Sequence, residues 1–324
     1  MASKGKLVCL FPGQGSQSVG MGLDLYQSYE EAKETFAKLD QFAGRSLSQL
    51  CFEGPQDELK RTVNTQPTIM AASLAAWSCY QKLNGPKPDF VAGHSLGEIT
   101  ALAAVGALDM EDAVKLVEKR ASLMESCPKG AMAAVLKVDP EVLEKITLSV
   151  SEEFRAEGKS EAESTVVLAN FNSRQQLVIS GSPEAVKAAS VKVKGEGGKA
   201  IPLPVGGAFH SPLMEEAARE FSHLLSVCAL KAPVCEVVQN FDARGSQEVA
   251  SIKEKLDMQM RSPVRWYESV EYMIENGADT FVEIGPGNVL TGLVKKIDES
   301  VRVFNINDSE SLKATLSELS AARV

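Results

Sequence analysis

Apolar residues fall along this chain in two alternating patterns, which together predict a layered α/β protein. Leu7-Val8-Cys9-Leu10-Phe11 and Phe90-Val91-Ala92 are short unbroken apolar runs, the mark of strands buried on both faces of a parallel sheet. Val234 to Val238 and Thr280 to Ile284 also read as strands, and Val301 to Ile306 closes the sheet. Residues 22–42, 66–83, 110–124, 263–275 and 288–297 carry apolar positions at helical spacing, with Gln66-Pro67 reading as a helix start.

The middle of the chain changes pattern. Ala131 to Val138, Thr165 to Phe171, Gln176 to Ser180 and Lys199 to Val205 read as strands, and Pro140 to about Val150 and Pro183 to Lys194 as helices. That order is β-α-β-β-α-β, the ferredoxin-like arrangement. The predicted organisation is a catalytic core of residues 1–129 and 206–324 with an inserted small domain at 130–205. Residues 151–164 are charged and almost free of large apolar groups, so a mobile surface loop is expected there.

Composition narrows the class without naming a chemistry. The 324 residues are 44% hydrophobic, enough for one large core and a smaller one. No run approaches the length of a membrane span, and Met1 to Lys6 is too polar for a signal peptide. The six cysteines lack a C-x-x-C pair, which suits reduced thiols in a cytoplasmic protein, or in an organelle matrix if the chain is a processed form. A net charge of −9 argues against general nucleic-acid binding, which needs a basic surface.

The chemistry concentrates in Gly93-His94-Ser95-Leu96-Gly97. A strand leads in and a small-residue helical pattern leads out, the context of a G-x-S-x-G nucleophile elbow, with Ser95 lifted from the sheet. Pro12-Gly13-Gln14-Gly15 ends the first strand in a loop that is either a plain turn or a source of N–H donors for an anionic oxygen. Arg120 stands on the apolar stripe of its helix among Ala113, Val117 and Met124. Burying an unpaired guanidinium is costly, so Arg120 should either snorkel outward along its stem or meet a carboxylate, in a structural salt bridge or on a substrate gripped by its planar fork. Of the three histidines, His94 should point away from its neighbour Ser95 and His223 lies on a helix flank. His210, in a glycine-rich loop before a helix, is the candidate general base.

Six ordered blocks spanning nearly the whole chain resemble the malonyl-CoA:acyl carrier protein transacylases of type II fatty acid synthesis. They are Phe11 to Gln17, Gly93 to Glu98, Arg120 with Gly130 to Val135, Asn170 to Ser173, Phe209 to Met214 and Gly285 to Leu290. The resemblance implies a hydrolase-like α/β core with a mostly parallel sheet and the ferredoxin-like insert. It implies Ser95 as nucleophile, His210 as base, the backbone N–H groups of Gln14 and Leu96 as oxyanion hole, and Arg120 as the malonyl carboxylate ligand. Gln259 would orient His210 through its main-chain carbonyl, and Gln66 and Asn170 match polar positions near the family's site. Malonyl-CoA and holo acyl carrier protein are the implied partners, with no metal or redox cofactor, and a monomer is expected. Two features depart from the family pattern: Arg174 where Pro or Gly is usual, and the length of the charged 151–164 stretch. The competing reading is an α/β-hydrolase-type esterase or thioesterase, which expects an Asp or Glu between Ser and His in chain order. A carrier-protein-binding module without catalysis is the third.

Overall fold

The computed structural model describes residues 5–321. Strand β1 (Lys6–Phe11) is followed by helices α1 (Leu23–Ser28), α2 (Glu30–Ala43), α3 (Leu47–Glu53), α4 (Gln56–Lys60) and α5 (Thr62–Lys82). Strand β2 (Phe90–Gly93) leads into α6 (Leu96–Ala104) and then α7 (Met110–Ser126). The middle segment runs β3 (Ala131–Leu136), α8 (Pro140–Ala156), α9 (Glu161–Ser164), β4 (Val166–Ser173), β5 (Gln176–Gly181), α10 (Pro183–Gly195) and β6 (Lys199–Pro202). The chain then forms α11 (Glu215–Val227), β7 (Glu236–Val238), β8 (Gly245–Ser246), α12 (Val249–Met258) and α13 (Trp266–Glu275). It ends with β9 (Ala278–Ile284), α14 (Val289–Ile297), β10 (Arg302–Ile306) and α15 (Ser309–Ala321).

The larger sheet has the order β10-β9-β1-β2-β7-β8, parallel except for β8. Its central strands β1 and β2 are buried on both faces. In β1, Leu7, Cys9 and Phe11 face one apolar cluster while Val8 and Leu10 face another. The second sheet, β4-β5-β3-β6, is antiparallel and has its own core, including Val135, Leu143, Val150, Leu168 and Ile179. The fold is thus the α/β, hydrolase-like core with a ferredoxin-like insert that the sequence led us to expect. Among the described residues no helix is long and apolar enough to cross a membrane.

Three expectations need correction. The stretch 151–164 is not a loop: α8 continues to Ala156, and α9 follows behind a Ser160–Glu163 capping box. Val150 and the half-buried Phe154 anchor the last turns of α8 on the small core, and Ser151 bonds β4 through the Val166 N–H at 3.3 Å. The remaining face is solvated, which is why the stretch reads as polar. Residues 22–42 form two helices, broken at Tyr29, whose backbone is extended. Helix α5 begins at Thr62 and carries Pro67 inside it. Proline removes the N–H that would bond the Val63 carbonyl, and Arg45 Nη2 donates to that oxygen instead at 3.0 Å.

Candidate active site

The site lies where β1, β2 and β7 end side by side, the carboxyl edge at which open α/β sheets bind ligands. Phe11 of β1 is in register with Gly93 of β2, and Ala92 of β2 with Val238 of β7. The loops leaving these strands therefore meet. Glycine makes the meeting possible. A Cβ on Gly93 would sit 1.9 Å from the Gly97 carbonyl carbon, and one on Gly97 would sit 2.0 Å from the Phe11 carbonyl oxygen. Ser95 is left in a left-handed conformation with φ 53° and ψ −105°, strained for a residue with a side chain.

His210 reaches the elbow from the loop before α11, and it too has a left-handed φ of 56°. Its Nε2 lies 2.7 Å from Ser95 Oγ, and its Nδ1 lies 3.0 Å from the Gln259 carbonyl oxygen. A carbonyl only accepts, so Nδ1 carries the proton and Nε2 faces the serine with its lone pair. Burial, reinforced by the nearby Arg120 cation, pushes the His210 pKa down to about 3. The imidazole is neutral at neutral pH and ready to take a proton.

Arg120 is 1% exposed, and no carboxylate forms an ion pair with it among the described residues. Its acceptors are neutral. Nη1 donates to Gln66 Oε1 at 2.7 Å, and Nη2 donates to Ser95 Oγ at 2.9 Å and Gln259 Oε1 at 3.0 Å. Nε has no partner. Burial lowers the guanidinium pKa to about 10, offset in part by Glu98, which acts on it without forming an ion pair. The structural ion pair that would have explained Arg120 is not there. What remains is a buried, positively charged fork whose Nη2 donates to the Ser95 hydroxyl.

Leu96 is the first residue of α6, so its N–H has no partner within the helix. Gln14 is brought against the elbow by Gly13, where an added Cβ would meet the His94 carbonyl oxygen at 2.3 Å. The Gly13 carbonyl accepts from Ser16 Oγ at 2.5 Å, so the Gln14 N–H, trans across the same peptide, points the other way. Asn170 is buried on β4, but its side chain makes no hydrogen bond to Ser95, His210 or Arg120 among the described residues. His94 points away, its Nε2 2.8 Å from Asn172 Oδ1, and His223 is exposed.

Three features escaped the sequence reading. The Gln259 side chain joins Arg120 to the elbow, its Nε2 donating to the Ser95 carbonyl at 2.8 Å. Asn172 tethers His94. Glu98 and Asn240 form a buried pair behind Ser95, with the Asn240 N–H donating to Glu98 Oε2 at 2.8 Å. The available signal was a carboxylate one residue past the elbow and two amides, Gln239-Asn240, ending an apolar strand.

A serine beside a neutral histidine, on an elbow ahead of a helix N-terminus, is the apparatus of an acyl-group enzyme. The family model described as "Acyl transferase domain" matches residues 8–313, and the chain belongs to that family. It is 44% identical over 318 residues to the malonyl CoA-acyl carrier protein transacylase of Bacillus subtilis strain 168, covering 97% of each chain. Its structure is similar to that of FabD from Acinetobacter baumannii, with a TM-score of 0.92, 35% identity, and 99% of this chain and 100% of that one covered. A malonyl-transacylase solved in complex with a type II PKS acyl-carrier protein matches with a TM-score of 0.90 and 38% identity, covering 97% and 99% of the two chains.

Proposed function

We propose that the protein is a malonyltransferase that carries malonyl groups from CoA to the phosphopantetheine thiol of acyl carrier protein, supplying the extender unit of fatty acid synthesis. The observation that carries the substrate is Arg120: a buried cation without a carboxylate partner, 2.9 Å from the nucleophile hydroxyl. A malonyl thioester brings the missing carboxylate at the right place, since its acid and thioester carbonyl are separated by one methylene.

Malonyl-CoA binds with its carboxylate on Arg120, which releases Ser95 Oγ to its partner His210. His210 Nε2 takes the serine proton as Oγ attacks the thioester carbon, and the Gln14 and Leu96 N–H groups hold the oxyanion. The Gln259 carbonyl accepts the Nδ1 proton and steadies the imidazolium. The C–S bond breaks, CoA leaves as a thiol with the proton from His210, and malonyl-Ser95 remains. The carrier-protein thiol then attacks the ester, giving its proton to His210, and Ser95 is regenerated. Every proton passes through one imidazole, so the exchange requires no metal or redox cofactor. Gln66 acts by fixing Arg120, while Asn170 keeps a place near the malonyl group without a bond to the reacting residues.

We infer an active monomer, and a division into a core of 1–129 with 206–324 and an insert at 130–205. Holo acyl carrier protein is a transient partner, and the six free thiols suit a cytoplasmic setting. An esterase of the α/β-hydrolase type would orient its histidine with a carboxylate, whereas here a main-chain carbonyl does so. Transfer to purified holo acyl carrier protein, measured against hydrolysis of malonyl-CoA in the same reaction, tests the proposal. Release of free malonate in place of malonyl carrier protein would make it a thioesterase.

A further inference from the structure

We propose that Asn240 is a positioning residue for this reaction: its side-chain amide spans the nucleophile elbow from behind and holds the Ser95 backbone in the conformation that aims Oγ at His210. The inference rests on Ser95 being the nucleophile.

Left-handed φ at a serine is strained and persists only where the surroundings over-determine it. Ser95 has such surroundings. Asn240 Oδ1 accepts from the Ser95 N–H at 2.7 Å, and Asn240 Nδ2 donates to the Gly93 carbonyl at 2.7 Å. One planar amide thus grips the backbone on both sides of His94. The turn cannot unwind without breaking one of these bonds.

Asn240 is itself held at every polar atom. It is 0% exposed, its N–H donates to Glu98 Oε2 at 2.8 Å, and its carbonyl accepts from the Arg265 N–H at 3.0 Å. Glu98 Oε1 accepts from the neighbouring Gln239 Nε2 at 3.1 Å, so the carboxylate clasps both residues that follow β7. A buried carboxylate served by two donors and standing in the first turn of α6 is favoured there by the helix dipole. The clasp ties β7 to the helix that follows the nucleophile.

The arrangement also sorts the donors of the elbow. With the Ser95 N–H occupied by Asn240 and the Ser95 carbonyl by Gln259, the unengaged Leu96 N–H is left for the oxyanion. Loosening the clasp would move Oγ and the Leu96 peptide together. A misplacement of about 1 Å in a reacting group can cost roughly a hundredfold in rate.

The test is single-turnover acylation by malonyl-CoA, followed by mass spectrometry of the Ser95 peptide, for the unmutated chain, Asn240→Ala and Asn240→Asp. For Asn240→Ala the expected result is an acylation rate constant roughly a hundredfold lower. The final ester stoichiometry and the half-saturating malonyl-CoA concentration stay unchanged. A residue that merely supports folding would lower the final stoichiometry and leave the rate constant of the reacting fraction alone, and that outcome overturns the proposal. So does a fall in rate matched by an equal rise in half-saturation.

Asn240→Asp keeps the size and gives a second readout if the alanine variant does not fold. As carboxylate it accepts from Ser95 but cannot donate to Gly93; protonated, it does both. Its rate relative to the unmutated chain should therefore climb from mildly alkaline to mildly acid pH. The other ionisable groups around the elbow, Glu98, Arg120, His94 and His210, are common to both proteins. A flat ratio contradicts the proposal. If the unmutated chain forms no ester on Ser95, the nucleophile reading fails; an ester there with unaffected Asn240 variants sinks only the positioning role.

Discussion

The guanidinium of Arg120 donates to the hydroxyl of Ser95 across 2.9 Å, and the same hydroxyl lies 2.7 Å from His210 Nε2. Before substrate arrives, the nucleophile is shared between a cation and a base. In the proposed reaction the substrate carboxylate resolves the competition by occupying the cation. Replacing Arg120 with alanine should therefore abolish the preference for malonyl over acetyl groups. Breaking a buried charge pair costs about 3–5 kcal/mol, or roughly two to four decades in kcat/KM for malonyl-CoA. Acetyl transfer should rise relative to malonyl transfer. An unchanged malonyl preference would remove Arg120 from the substrate site.

Gln66 shapes the same fork, accepting from Arg120 Nη1 at 2.7 Å while its Nε2 faces Met124 Sδ at 3.2 Å. A hydrogen bond to a charged group contributes about 1.5–3 kcal/mol, so Gln66→Leu should raise KM for malonyl-CoA roughly ten- to a hundredfold. Residual acetyl transfer should hardly change. Equal losses with both acyl groups would mean that Gln66 acts on Ser95 and not through Arg120.

The pH profile follows from His210. Its pKa is lowered from 6.5 to about 3, first by burial and then by Arg120, so the base stays neutral as pH falls through 6.5. The kcat/KM profile should show no inflection there. When the malonyl carboxylate neutralises Arg120, imidazolium becomes easier to form, and the acid limb of kcat should lie at higher pH than that of kcat/KM. Stability has a matching sign. The unfolded histidine binds its proton near 6.5 and the folded one does not, so its stabilising contribution is complete above 6.5 and is lost progressively toward 3. His94, also lowered by burial, adds in the same direction. His210→Gln should flatten the acid side of the Tm-against-pH curve, and an unaltered slope would contradict the depressed pKa.

Much of this was legible in the sequence because it depended on local pattern. Strands β1 and β2 announced themselves as unbroken apolar runs, and the elbow as small residues between a strand and a helix. Arg120 stood out as a charge on an apolar stripe, though only the fold could show that no carboxylate meets it. What stayed hidden depends on tertiary contact. Most of 151–164 is helical, as the end of α8 and as α9, because Val150 and Phe154 pack on the core of the small sheet. Pro67 lies inside a helix because Arg45 takes over the carbonyl it abandons. Asn240 is separated from Ser95 by 145 positions, and nothing local marks it as the residue behind the elbow.

Two glycines test whether the packing at the strand ends is as tight as described. Gly97→Ala would place a methyl 2.0 Å from the Phe11 carbonyl oxygen, a backbone atom, and should destabilise the fold by on the order of 3 kcal/mol. Gly292, inside α14, has nothing within 4 Å of an added Cβ. There alanine should stabilise by about 0.5–1 kcal/mol. Denaturant midpoints for the two variants, moving in opposite directions, check the pair; a neutral Gly97→Ala would mean the β1 and α6 ends are looser than the contact distance states.

The most direct measurement is brief incubation of the protein with malonyl-CoA in the absence of an acceptor, followed by peptide mass spectrometry. A malonyl ester on Ser95, formed with stoichiometric release of CoA and discharged on adding holo acyl carrier protein, is the expected result. A label on another residue, or free malonate with no acyl-protein at any time, would contradict Ser95 as the carrier of the malonyl group.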